Sequence, residues 1–464
     1  MPAPATPAAT YDVVVVGAGL AGLSAAWALV RRGASVLVVD RDAPGAATSH
    51  VAAGMIAPVT EAESDHLPAL RLGVAARTAW PAFARELEAA SAIELPLLDA
   101  GSLAIARDRD EAEALERFRL VRERMGLQVE RLLPSAARRL EPALAPTLRA
   151  ALAVPDDLAV DPRRVVQALV RAITAAGGVV RTGVAVRSVR VEDGRATGVE
   201  LDDVPRRAGR DGLMAIPGGD GPVATPDVVV ETGWGGAAPR TLAAGAVLLA
   251  TGPWAGGGVG VPDGDRVPVR PVKGQLLILR DPDGPGLVSR VLRFALGGGY
   301  VVPRPDGRYV VGGTVEEQGF DRTVTALAVH DLLRDAAELV PGLLELRLEE
   351  SIAGLRPATP DGMPTIGPAA MTDGLWWCAG HYRNGVLWAS VTGDLLADAM
   401  GLDGGTATRD PDRGTTAAGG ATGHGVATPD VDPRRFANAP GGGSALWTMG
   451  RLANAPGGGM PHGR

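Results

Sequence analysis

The sequence predicts a chain of mixed α/β class, α+β in its later part, and three observations carry that prediction. The first is Tyr11 to Asp40, YDVVVVGAGLAGLSAAWALVRRGASVLVVD, which reads as strand, tight turn, helix and second strand. The second is Gly245 to Ala255, GAVLLATGPWA, an apolar strand that ends on small residues. The third is a set of strand-like stretches at Arg270 to Arg280, Gly299 to Arg304 and Tyr309 to Gly313, the last two joined as a hairpin by the Asp306-Gly307 turn. The first two describe a Rossmann-like dinucleotide-binding domain. The third describes a second, mostly antiparallel β domain suited to a substrate.

Each element follows from its residues. Val13 to Val16 is a short, continuous β-branched run, as a strand buried on both faces of a parallel sheet requires. Gly17 permits the tight turn, Gly19 lets a pyrophosphate approach the backbone, and Gly22 lets the helix Leu20 to Arg32 pack on the strand. Gly33 closes that helix, and Asp40 sits at the tip of the next strand, where an acid suits ribose hydroxyls and repels a 2′-phosphate. Pro44 to Pro58 is small and flexible, so it fits either a loop lying against a flat ring system or an ordinary helix start. Helical spacing returns over Pro68 to Glu88 and Asp110 to Met125, with Ile93 to Ala106 between them as paired short strands. Asp161 and Pro162 form an N-cap and N1 pair for a helix to Ala176, and Val179 to Val191 is strand material able to rejoin the first sheet beside an adenine. Residues 202–239 read as a surface insertion with one strand-like island at Val228 to Glu231. Thr323 to Leu339 is an amphipathic helix, and Val386 to Met400 is the last one. Beyond Gly401 the Gly/Thr/Ala/Asp text, with ANAPGGG repeated at Ala437 and Ala453, reads as disordered, and the region after Phe436 as dispensable.

The expected division is therefore a flexible tail at 1–10, a dinucleotide domain built from 11–80, 151–262 and 351–402, a substrate domain from 81–150 and 263–350, and a low-complexity tail at 403–464. The strand ending in Ala250, Thr251 and Gly252, taken with the glycine turn, favours FAD over NAD. The cofactor is expected against Gly17, Ala18, Gly19, Leu20, Ala21, Gly22, Asp40 and Arg41, against Thr48, Ser49, Ala53, Gly54 and Met55 in the small-residue loop, against Val186, and against Ala250, Thr251, Gly252 and Trp254. Near the C-terminal helix it is expected against Gly354, Arg356, His381, Arg383, Asn384, Gly385, Val386 and Leu387. A helix opening at Gly385 could stabilise negative charge on a flavin ring.

Composition narrows the function. The 464 residues carry a formal charge of −7 with no basic run, which argues against nucleic acid or an anionic membrane as partner. The single cysteine, Cys378, excludes an internal disulfide and a cysteine-rich metal site and fits a reducing cytoplasm. MPAPATPAAT lacks a charged n-region and an apolar core, so no signal peptide is expected, and no metal site is expected either. Arg356 lies in an apolar stretch and needs a carboxylate partner, either a ligand's or a structural salt bridge. His381 reads best as a hydrogen-bonded structural histidine. Lys273 is the only lysine among 46 basic residues, with either a surface or structural role or a part in O₂ chemistry.

Seven strings, GAGLAG (from Gly17), AAGMIAP (from Ala52), PVKGQ (from Pro271), YVVPR (from Tyr300), VGGT (from Val311), GLRPATPDGMPTIG (from Gly354) and GHYRNG (from Gly380), resemble the glycine oxidases of thiamin biosynthesis, in the D-amino-acid oxidase group of FAD enzymes. The resemblance spans Tyr11 to Met400. It implies oxidation of glycine and similar small amines by non-covalent FAD, with O₂ as oxidant, peroxide as product, and an imine that is hydrolysed to glyoxylate or passed to thiazole synthesis. It implies Arg356 as carboxylate ligand, Tyr300 as a hydroxyl near that carboxylate, Arg383 as a gate or second cation, and Val315, with Met55 and His381, in the substrate pocket. Related sarcosine oxidases attach flavin through a cysteine just after the equivalent of Arg356, where Pro357 and Ala358 stand here. A homo-oligomer is expected, a tetramer among its forms. DPRRF, Asp432 to Phe436, resembles the family's C-terminal signature, displaced by the Gly/Thr segment. An amine lone pair can drive hydride from the α-carbon, so the site must mainly fix the carboxylate and favour the neutral amine. The alternatives are a sarcosine or D-amino-acid oxidase, a dehydrogenase feeding a membrane quinone, and an assembly protein with structural flavin.

Overall fold

A computed structural model of the chain describes residues 10–61, 67–202, 231–232, 240–295, 299–402 and 430–436. Two large sheets organise it. The strand Tyr11–Val16 is the centre of the first, flanked in parallel by Val36–Asp40 and Thr241–Leu249. Val179–Thr182 extends the parallel set beyond Val36–Asp40, and Glu231–Thr232 forms its edge. On the other side Thr241–Leu249 forks. Its first half pairs antiparallel with Arg195–Leu201 of a hairpin completed by Val186–Glu192, and its second half pairs in parallel with Leu375–Ala379, which carries Thr365–Pro368.

The valine run is buried on both faces, and period-two alternation divides it between two cores. Val13 and Val15 pack under the helices Leu20–Arg31, Leu67–Ser91, Pro162–Ala175 and Gly385–Ala399, while Val14 and Val16 face the hairpin side with Val199, Val247 and Val269. The helices Leu20–Arg31 and Gly385–Ala399 cross closely because a Cβ on Gly393 would strike the Ser24 carbonyl.

The second sheet runs Arg347–Ala358, Arg270–Arg280, Arg308–Gly312, Tyr300–Pro303, Val291–Phe294, Ser102–Ala106, Ala150–Val154 and Glu130–Leu132. All neighbours are antiparallel except Val291–Phe294 against Ser102–Ala106. One face buries Leu332, Ala336 and Leu339 of the helix Ala326–Leu339. The other carries Leu276, Ile278, Val302 and Val310 toward Met55 and Ala57, which join the two halves of the molecule.

Several expectations need correction. Ile93 to Ala106 does not form paired strands; only Ser102–Ala106 is a strand, and its partners come from residues 150–154 and 291–294, while Leu98 makes a single bridge to Ala159. Val179 to Val191 is two strands, broken where Gly183 takes φ +71°. The expected boundaries at 150/151 and 350/351 cut strands of the second sheet, since Ala150–Val154 and Arg347–Ala358 are continuous ladder members. The helix at 323 begins only at Ala326, because Thr325 is its N-cap. Within 202–239, Glu231–Thr232 joins the first sheet; Val228 to Val230 lie outside the described residues, as do both ANAPGGG repeats. Asp430 to Phe436 is not loose tail: Ile366 N–H donates to the Val431 carbonyl, Val431 is buried in the first core, and Arg435 pairs with Asp361 at 2.7 Å.

Candidate functional site

The glycine turn is closed by sterics. Gly17 has φ +113°, a Cβ there would strike the Ala250 carbonyl, and a Cβ on Gly22 would strike Gly17. The Ala18 N–H donates to Asp40 Oδ2 at 2.7 Å, so the acid expected at a ribose also anchors the turn, and burial raises its pKa. The helix Leu20–Arg31 begins with Gly19 as an N-cap without a side-chain bond; Ser49 Oγ accepts from Leu20 N–H at 3.0 Å, and the first-turn N–H groups have no intrahelical acceptor. Gly54, φ +80°, turns the small-residue loop where a Cβ would strike the Val160 carbonyl, and Arg304 Nη2 holds that loop by the Ala53 carbonyl at 2.6 Å. Of the two readings of Pro44 to Pro58, the loop is therefore the observed one.

One cavity of about 320 Å³ runs from this turn to the second sheet. Its lining includes Gly17, Gly19, Leu20, Ala21, Asp40, Arg41, Thr48, Ser49, Ala53, Gly54, Met55, Val186, Ala250, Thr251, Gly252, Trp254, Tyr300, Gly354, Arg356, His381, Arg383, Gly385 and Val386, which the sequence led us to expect, and also Asp42, Asp202, Gly274 and Cys378, which it did not. Ala18, Gly22, Asn384 and Leu387 do not line it: Ala18 is buried beside the turn, Gly22 packs on Gly17, Asn384 caps the helix Gly385–Ala399, and helical periodicity sends Leu387 into the core. At the outer end Arg41 lies over the Trp254 ring at 4.3 Å, and Trp254 stacks on Phe320 at 6.0 Å.

At the inner end Arg356 and Tyr300 converge. The strand pairing Val272 with Arg356 places Gly274 beneath the guanidinium, where any Cβ would collide with it, and Gly312 is similarly required under the Tyr300 hydroxyl. A Cβ built on Gly313 would sit 3.1 Å from Tyr300 Oη and 3.3 Å from Arg356 Nη2, so both groups point at one small volume. Arg356 Nη1 donates to the Thr314 carbonyl at 2.9 Å and the Lys273 carbonyl at 3.3 Å. It forms no ion pair with any described residue, so the structural salt bridge left open by the sequence is absent among them. Burial lowers its pKa and raises that of Tyr300, which keeps the phenol a hydrogen-bond donor.

His381 is a structural histidine: its Nε2 lies 3.0 Å from Thr392 Oγ1, and burial pushes its pKa down to about 4. Arg383 is exposed beside Tyr382, whose N–H donates to the Pro357 carbonyl at 2.8 Å. One expectation fails, and another narrows to its structural alternative. Val315 is 52% exposed and does not line the cavity, because Thr314 and Glu316 on either side turn inward to bond each other and Gln275. Lys273 is neither on the surface nor in the cavity; it is 1% exposed with Nζ 2.5 Å from Asp321.

Sequence reasoning missed Glu61 and Arg293. Glu61 ends the helix Pro58–Glu61 and lines the cavity. Arg293 pairs across strands with Tyr300 and donates to the Thr60 carbonyl at 2.7 Å. The hairpin register could have flagged Arg293; nothing in the residue pattern flags Glu61.

The cavity fits FAD. The helix N-terminus and glycine turn suit a pyrophosphate, and Thr251 Oγ1 is buried on the lining without a hydrogen-bond partner among the described residues. At the helix Gly385–Ala399 the N-cap residue Asn384 makes no side-chain cap hydrogen bond, and the first-turn residues Gly385 and Val386 line the cavity. Cys378, the one thiol, is buried on the cavity lining and donates weakly to the Ala21 carbonyl at 3.7 Å, and burial pushes its pKa up to about 12, which favours the thiol over the nucleophilic thiolate.

Comparison with known proteins agrees. The family model described as FAD dependent oxidoreductase, DAO, matches residues 12–399. A glycine oxidase of Geobacillus kaustophilus is 32% identical over 391 residues, 84% of this chain and 93% of that one. The crystal structure of glycine oxidase from Geobacillus kaustophilus superposes with a TM-score of 0.72 at 30% identity, over 84% of this chain and 95% of that one. The bifunctional protein ThiO/ThiG of Trichormus variabilis is 29% identical over 392 residues, 84% of this chain and 52% of that protein. The chain belongs to the FAD dependent oxidoreductase family, DAO, and is an FAD-dependent amino-acid oxidase of the glycine oxidase type.

Proposed function

We propose that the enzyme oxidises glycine and similarly small amino acids at the α-carbon, passing electrons to O₂ and releasing hydrogen peroxide and an imine, which water converts to glyoxylate and ammonia or which a thiazole-forming partner consumes. The observation that supports this best is Arg356, a guanidinium at the cavity's inner end whose bonded partners among the described residues are two backbone carbonyls, next to the Tyr300 hydroxyl. A bidentate carboxylate is the anion that fork fits.

When bound, FAD supplies the acceptor for a hydride and the route of those electrons to O₂. Gly17, Gly19 and the first turn of the helix Leu20–Arg31 would hold its pyrophosphate, Asp40 its ribose, and the N-terminus of Gly385–Ala399 its ring. The protein's own share is binding and orientation. Arg356 and Tyr300 hold the carboxylate, and Met55 supplies apolar wall beside them. Three arginines, Arg356, Arg383 and Arg293, act on Tyr300 against one carboxylate, Glu61, and that local excess of positive charge favours the neutral amine, whose lone pair the reaction needs. Attachment of FAD is read as non-covalent, because Pro357 and Ala358 follow Arg356 and burial holds the Cys378 thiol protonated.

Among the described residues no helix is long and apolar enough to cross a membrane. A homo-oligomer is part of this proposal, and hand-over of the imine to thiazole synthesis fits a relative that carries ThiO and ThiG in one chain. A panel of glycine, sarcosine, small D-amino acids and carboxylate-free amines tests the reading, scored aerobically for peroxide and anaerobically for flavin bleaching. Bleaching with glycine but no peroxide would point to a dehydrogenase, and no bleaching with any amine to a structural flavin.

A further inference from the structure

The strand Arg270–Arg280 sends Lys273 and Gln275, two residues apart and so on the same side, toward residues 313–325. Both side chains tie that segment down. Lys273 Nζ lies 2.5 Å from Asp321 Oδ2 and 3.7 Å from Glu316 Oε2. Gln275 Nε2 donates to Glu316 Oε1 at 2.8 Å, and its Oε1 accepts from Thr325 N–H at 2.8 Å, at the N-cap of the helix Ala326–Leu339. Backbone bonds add Lys273 N–H to the Glu316 carbonyl at 2.9 Å and Glu316 N–H to the Lys273 carbonyl at 3.0 Å. The segment is thus a strap fastened at 314, 316, 321 and 325, and its first carbonyl, Thr314, is the one that Arg356 Nη1 grips at 2.9 Å.

We propose that Lys273 is a positioning residue for carboxylate recognition: its ammonium, through Asp321 and Glu316, holds the strap so that the Thr314 carbonyl and its own carbonyl aim the Arg356 guanidinium into the cavity. This rests on the reading of Arg356 as the carboxylate anchor. It replaces a direct role in O₂ chemistry, since Nζ is engaged by the strap's carboxylates and Lys273 does not line the cavity. Lysine suits the place: a compact ammonium is satisfied by two carboxylates, whereas a guanidinium would bring five donors to one buried corner.

The test uses the holoenzyme and acetate, a monocarboxylate with no amine to oxidise, titrated against the flavin absorbance of the parent and of Lys273→Met, Asp321→Asn, the double variant and Arg356→Ala. Each single strap variant should weaken acetate by about tenfold or more and raise KM for glycine with kcat within about twofold, and the double variant should be no worse than the weaker single, because one linkage is being cut. Oxidation of a carboxylate-free amine and reoxidation by O₂ should not change, and hydrogen exchange should quicken over 313–325. Acetate affinity unchanged in the strap variants, equal losses for substrates with and without a carboxylate, or slowed reoxidation alone would each overturn the proposal. If Arg356→Ala binds acetate as the parent does, the anchor reading itself is wrong and the strap's role goes with it; if only Arg356→Ala is weakened, the strap alone is refuted. Should Lys273→Met fail to fold, Asp321→Asn decides, because Asp321 is at the exposed end of the pair.

Discussion

Arg356→Ala is the sharpest perturbation of the proposed chemistry. In the parent the guanidinium spends Nη1 on two carbonyls and keeps Nη2 beside the small volume it shares with Tyr300. Truncation would leave a substrate carboxylate facing a hole where a charged donor pair had been, a loss of about 2 to 5 kcal/mol for a charged hydrogen-bonded contact away from bulk water. At about 1.36 kcal/mol per decade this is a fall in kcat/KM of roughly 30- to 5,000-fold, carried mainly by KM. The effect on folding should be far smaller, because only the Thr314 carbonyl loses its donor while the Lys273 carbonyl keeps Glu316 N–H, and a single neutral bond is worth about 1 kcal/mol. Arg356→Lys should recover part of the loss, lacking the fork. Gly274→Ala offers an independent check: its Cβ would collide with the guanidinium, so it should reproduce the KM defect with the charge still present. Initial rates of peroxide formation against glycine, with a carboxylate-free amine as control, measure all three. An alanine variant whose kcat/KM for glycine stays within about threefold of the parent would remove Arg356 from the site.

Three further outcomes are expected. Tyr300→Phe removes one donor to a charged group and should lower kcat/KM for glycine by about ten- to a hundredfold, about 1.5 to 3 kcal/mol, without altering the carboxylate-free control; equal losses on both substrates would place the hydroxyl elsewhere. His381 has its folded pKa pushed down to about 4 from 6.5 by burial, so its contribution is neutral above pH 6.5, where folded and unfolded forms are both uncharged, and the fold loses up to about 3 kcal/mol as pH falls from 6.5 to 4 and only the unfolded histidine takes up a proton. Urea unfolding at pH 7.5 and pH 4.5 should show a flatter acid dependence in His381→Asn, and parallel slopes would count against it. Acid precipitation should release the yellow chromophore into the supernatant, and colour retained in the pellet would contradict non-covalent FAD.

What could be read in advance divides along the range of the contacts. The glycine turn is a local object: strand, turn and helix are consecutive, and the φ of Gly17 and the collision at Gly22 follow from one continuous stretch, so every turn residue except Ala18 and Gly22 also proved to face the cavity. Arg356 and Tyr300 were legible only through strings that resemble a known family, because what brings them together is a cross-sheet register in which Arg356 pairs with Val272 and Tyr300 with Gly312. Val315 shows how little error such a reading tolerates: neighbours along an extended chain face opposite ways, so Thr314 and Glu316 turn inward to bonded positions while Val315 faces solvent. Asp430 to Phe436 failed for a related reason, since the partners that fix Val431 and Arg435, Ile366 and Asp361, lie far back in the chain.

Lys273 is the instructive case. A composition skewed to arginine singled it out, and composition has no information on where a side chain points. The surface alternative weighed the residue alone, yet a buried ammonium is tolerable once its charge is matched, and here the match comes from Asp321 and Glu316 on a segment more than 40 residues away, brought back by backbone pairing with Glu316. That same pairing sets the Lys273 carbonyl under Arg356. The only lysine and the candidate substrate anchor are therefore parts of one hydrogen-bonded unit, which is why substitution at a side chain that does not line the cavity should register in the affinity for a carboxylate.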